Sequence, residues 1–117
     1  MKYLLLIYGE EATWESKSAA EQGAIFEEYG RLSADLGAAG KLLGGEPLQP
    51  CATASTVRVR AGRALVTDGP FAETREQLGG FYLVDAADLD DALAIAARIP
   101  NARDGAVEVR PVAPVPG

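Results

Sequence analysis

The chain has no histidine and one cysteine, Cys51. An intrachain disulfide is therefore impossible, the commonest zinc and copper ligand sets are missing, and any metal site would be built from oxygen alone. Basic charge is scarce as well: 11 Lys and Arg face 17 Asp and Glu, for a net charge of -6. That balance disfavours phosphate backbones and anionic lipid, so neither nucleic acid nor a membrane is an expected partner. Long apolar runs are lacking too. Tyr3-Leu4-Leu5-Leu6-Ile7-Tyr8 is too short to cross a bilayer and no small-residue cleavage site follows it, which points to a cytoplasmic protein. The sequence shows no phosphate-binding glycine loop, metal-ligand spacing, catalytic triad or repeat, and no cofactor is expected.

What is present is apolar enough for one core. With 117 residues and 48% hydrophobic content, the chain reads as a single domain over residues 1–117. Lys2 to Tyr8 is apolar at successive positions, which predicts a strand buried on both faces. Gly9 to Lys17 reads as a polar loop containing Trp14. Ser18 with Glu21 three residues on predicts a capped helix, with Ile25, Tyr29, Leu32 and Leu36 as its apolar stripe and Gly37 and Gly40 as its end. A short strand is expected over Lys41 to Glu46. Thr56 to Arg60 and Ala64 to Thr67, joined by Ala61-Gly62-Arg63, have the alternation of a hairpin.

Phe81-Tyr82-Leu83-Val84 again lacks alternation and predicts a second strand buried on both faces. Asp88, with Asp91 in capping-box position, starts a second helix whose expected buried side is Leu89, Ala92, Leu93, Ala96 and Ala97. Pro100 stops it, and Val107 to Arg110 alternates like a half-exposed strand. The order strand, helix, strand, hairpin, strand, helix, strand is an α+β pattern of the split βαβ kind with an inserted hairpin. Both helices would lie on one face of the sheet. A second copy packed sheet to sheet is the simplest cover for the other, so a homodimer is expected.

The segment between hairpin and fifth strand, Val66 to Glu76, is the predicted working loop. Asp68 can bond its own following backbone, Gly69 permits positive φ, and Pro70 fixes φ. Asp68-Gly69-Pro70-Phe71-Ala72-Glu73-Thr74-Arg75-Glu76, followed by Gly79-Gly80-Phe81-Tyr82, resembles the YCII-related family in its DGPF-domain branch. The likeness extends to Lys2 through Gly9, Gly45 through Pro50, Thr56-Val57-Arg58 and Val107 through Pro111. It implies a ferredoxin-like dimeric α/β barrel. A His-Asp pair is taken as a possible active site in the family's other branch; without histidine, only the Asp68 half carries over. Frequent neighbourhood with alternative sigma factors implies a regulatory setting.

Asp68 is the candidate catalytic residue, a general base if burial and the nearby Glu73 and Glu76 raise its pKa; an Asx-type turn is the simpler reading. Tyr8, Arg58, Phe71, Glu73, Arg75 and Tyr82 are the candidate ligand-binding residues. Each has an ordinary alternative: core aromatics, the wet face of a hairpin, or a solvated charge cluster. Cys51 has no imidazole to activate it. The leading expectation is a homodimeric accessory or regulatory protein binding a small organic ligand near Asp68. A cofactor-independent lyase or isomerase using Asp68 and a protein-interaction module are the alternatives.

Overall fold

The local signals at the ends of the long helix are met. In the computed structural model, which describes residues 1–116, Ser18 Oγ accepts the Glu21 N–H at 3.1 Å and the Glu21 carboxylate accepts the Ser18 N–H at 3.0 Å. This reciprocal box opens a helix over Ala19–Ala38. At the other end Gly40 has φ +70°, the Lys41 N–H donates to the Leu36 carbonyl, and the Gly40 N–H donates to the Gly37 carbonyl. That is a Schellman cap, which needs a residue tolerant of left-handed backbone.

In chain order the elements are β1 (Lys2–Gly9), α1 (Glu11–Glu15), α2 (Ala19–Ala38), β2 (Leu42–Pro47), β3 (Ser55–Arg60), β4 (Arg63–Asp68), β5 (Gln77–Asp85), α3 (Leu89–Ala97) and β6 (Ala106–Pro111). Short 3₁₀ turns occupy Cys51–Thr53 and Pro100–Ala102. An antiparallel sheet runs in the order β2-β5-β1-β6, and β3 and β4 form a separate two-stranded sheet. The fold is α+β and agrees with a ferredoxin-like arrangement, the hairpin being inserted between β2 and β5. Among the described residues no helix is long and apolar enough to cross a membrane.

One face of the sheet carries the core. Tyr3, Leu5 and Ile7 of β1 and Tyr82 and Val84 of β5 are buried against Leu32 and Leu36 of α2, Ala92, Ile95 and Ala96 of α3, and Ile99. On the other face Leu4 lies opposite Leu83 and Leu6 opposite Phe81, all half-buried and with no helix over them. The doubly apolar reading of β1 and β5 is therefore met by helices on one side only. Pro47, which cannot donate, ends β2 on a sheet edge where no donor is missed.

Several expectations change. Gly9 to Lys17 is not all loop: Glu10 accepts the N–H groups of Thr13 and Trp14, and the Glu11 N–H is held by Gln77 Oε1, so a short helix forms. A tertiary bond to β5 supplies what the polar sequence does not announce. The buried side of α3 is Ala92, Ile95 and Ala96, while Leu89 and Leu93 are nearly half exposed. The helix turns its β-branched Ile95 toward the sheet and its leucines toward the rim. Asp88 accepts the Asp91 N–H as expected, but the Asp91 carboxylate reaches Ala87 N–H and Lys41 Nζ instead of closing a box.

The hairpin turn is Ala61-Gly62, both at positive φ (52° and 74°), as a two-residue loop between twisted strands requires. Arg63, expected in the turn, instead opens β4 opposite Arg60. The molecule is wide and thin, 47 × 46 × 19 Å. Its radius of gyration of 16.2 Å exceeds the roughly 13 Å expected of a rounded chain this size, because the hairpin projects from the sheet.

Candidate functional site

A cavity lies on the helix side, at the end of the sheet where β1 finishes and β5 begins. Ile7, Gly45, Gly80 and Tyr82 form its floor, Ile25, Phe26, Tyr29, Gly30 and Ser33 of α2 one wall, Trp14 of α1 and Pro47-Leu48 the rim, and Pro100 and Asn101 the back. Its volume is about 550 Å³, room for a small organic molecule. Gly30 opens it. A glycine inside a helix costs about 1 kcal/mol relative to alanine, and a Cβ at Gly30 would meet nothing within 4 Å, so no backbone constraint of packing demands it. Gly45 and Gly80 are different: Cβ atoms there would approach Phe81 O at 2.8 Å and Glu46 O at 3.1 Å, so close pairing of β2 and β5 explains both.

The polar points of the cavity are hydroxyls and an amide. Tyr29 and Tyr82 stack with centroids 6.4 Å apart and planes at 21°. The Tyr29 hydroxyl donates to Asn101 Oδ1 at 2.5 Å, and Ser33 Oγ and the Tyr82 hydroxyl share a bond of 2.8 Å. Burial pushes the Tyr29 phenol up to about 12 against the opposing effect of Asn101, so it stays a neutral donor. Trp14 meets Phe26 edge to face at 5.4 Å. Glu10, Glu11, Glu15 and Asp104 line the space with only Lys17 and Arg103 as cations. Both cations are engaged: Lys17 with Asp104 at 3.4 Å, Arg103 in a bidentate pair with Glu28 at 2.8 and 2.9 Å. The lining thus favours neutral or cationic ligands over anions.

Residues 1–116 match the YCII-related domain family. The chain belongs to the YCII-related family. This YCII-related chain is 42% identical over 115 residues to an uncharacterised protein of Rhizobium meliloti (strain 1021), covering 97% of the chain and 93% of that relative.

Of the residues singled out from the sequence, the structure brings Tyr82 to the cavity and leaves the others off its walls. Asp68 is exposed at the end of β4; the Gly69 N–H donates to the Ala54 carbonyl at 2.7 Å, Thr56 Oγ1 donates to the Gly69 carbonyl, and Gly69 has φ +95°. Phe71 is 79% exposed, Glu73 and Arg58 are exposed, and Tyr8 is half-buried beside a bulge at Gly79 of β5. Arg75 reaches Glu10 at 3.4 Å, a solvent-exposed pair at the cavity rim. No charged side chain is buried among the described residues, and none of them group into a metal-binding cluster. Burial, with the Glu11 carboxylate bonded to its backbone N–H, holds the Cys51 thiol above its ordinary range, which makes a poor nucleophile. Sequence reasoning assigned Tyr29 to the core and passed over Ser33 and Asn101. Trp14, an indole in a polar stretch, was the one visible signal for the wall.

Proposed function

We propose that this YCII-related protein, of the DGPF branch, is a cytoplasmic, homodimeric accessory protein that binds a small, largely apolar molecule in the cavity beneath α2. The cavity itself carries the reading: an apolar space with stacked tyrosines and a converging set of Tyr29, Ser33, Tyr82 and Asn101, widened by a glycine that packing does not need. Its ligand is neutral or cationic, with one hydrogen-bonding head for those hydroxyls and an apolar body against Trp14 and Phe26. The Asp-Gly-Pro-Phe turn supports the branch, and the bare Leu4, Leu6, Phe81, Leu83 face supports the dimer. A place for Asp68 at a ligand depends on that second copy, because in one chain it is exposed.

A small-molecule screen by ligand-observed NMR tests this. Gly30→Leu fills the cavity and should abolish binding of any hit while leaving the circular dichroism spectrum intact. Binding unchanged by Gly30→Leu would remove the cavity from the function. Asp68→Asn should keep the turn, and a loss of affinity for the same hit would make Asp68 a direct ligand contact.

A further inference from the structure

The β3–β4 hairpin has the composition of a covered element and no cover. Val57 lies opposite Val66 and Val59 opposite Ala64 on one face, and the three valines are 60, 64 and 61% exposed in the order Val57, Val66, Val59. A lone two-stranded hairpin is marginal in water, and here both strands are also sheet edges with unpaired backbone groups. Its charge is opposite to the rest of the molecule. Ser55–Asp68 carries Arg58, Arg60 and Arg63 against Asp68, net +2, whereas the remaining residues carry 8 Lys and Arg against 16 Asp and Glu, net -8. Two such bodies repel each other, but each attracts the other's hairpin.

Arg58, Arg60 and Arg63 stand with Leu65 on the hairpin's other face. We infer that the hairpin is an arm that reaches onto a second copy of this chain, its valine face seated on the partner's body and its arginine face drawn by the partner's net negative charge. The occupant is a second copy because the complementary charge is on the chain itself, and its sheet offers an uncovered apolar face. Glu46 stands in the same cross-strand row as Phe81 and Leu6 on that face, with no ion pair among the described residues, and supplies a carboxylate beside the apolar stripe. The arm inference rests on the homodimer proposed above and goes beyond it by naming what holds the dimer.

Sedimentation equilibrium compares the wild type with Val57→Glu/Val66→Glu and with Arg58→Glu/Arg60→Glu/Arg63→Glu, all at exposed positions, with folding checked by circular dichroism. Both variants should dimerise at least about 30-fold more weakly, as loss of interface anchors does. The wild-type dimer should weaken with salt through its charged contacts. Benzoylphenylalanine at Val59 should photo-cross-link into a covalent dimer. Variants that dimerise like the wild type, or cross-links confined to one chain, overturn the arm and leave the homodimer standing. A wild type monomeric at micromolar concentration overturns both, and leaves some other acidic protein as the arm's occupant.

Discussion

Tyr29 shows how one residue serves both packing and a site. Its ring belongs to the stripe that packs α2 on the sheet, and its hydroxyl crosses to Asn101. With its folded pKa raised to about 12 from an ordinary 10, its contribution to stability is full below pH 10 and disappears as pH rises toward 12. An ultraviolet phenolate titration should show a step near pH 12, and Tyr29→Phe should remove it. Gly105 illustrates a harder constraint. A Cβ there would lie 2.1 Å from Tyr8 O and 3.0 Å from Asn101 O, both backbone atoms that cannot step aside. Gly105→Ala should therefore destabilise by about 1–3 kcal/mol, measured by urea denaturation.

At the scale of the element, what was legible in the sequence was what is local. Ser18 and Glu21 are three residues apart, Gly40 follows its helix directly, and the hairpin alternates around its own turn; these elements were legible because their partners are close in sequence, although Arg63 belongs to β4 and not to the turn. The Tyr29–Asn101 bond spans 72 residues, and no local pattern announces it. The face of α3 failed for a related reason: its alanines are compatible with several rotations, and contact with the sheet, not the helix, chooses Ile95 over Leu93. Cavity formation makes Ile95→Ala cost about 2–5 kcal/mol, whereas Leu93→Ala, at 47% exposure, should cost about 1 kcal/mol or less. Equal costs in chemical denaturation would mean that α3 sits rotated.

Across the whole molecule, acidity sets how stability follows pH. Several carboxylates are held below their ordinary range: Asp91 chiefly by the Ala87 N–H and then by Lys41, Glu28 by Arg103, and Glu21 by the Ser18 backbone and hydroxyl. Because these folded-state values are depressed, their stabilisation is present above the ordinary carboxylate range and is lost as pH falls through and below it. The melting temperature should drop on acidification. Asp91→Asn should melt lower than the wild type at neutral pH, with the gap closing in acid; a constant gap would show that the Asp91 charge contributes nothing.

The chain has one tryptophan, and it stands in α1 at the cavity rim against Phe26, away from the core under the sheet. Its fluorescence is thus a built-in optical gauge of the rim. A molecule entering beneath α2 alters the surroundings of the indole and shifts or quenches its emission with no label attached. A mutation that loosens only the core leaves that emission almost unmoved while circular dichroism changes, so the two signals separate occupancy from unfolding in a single cuvette.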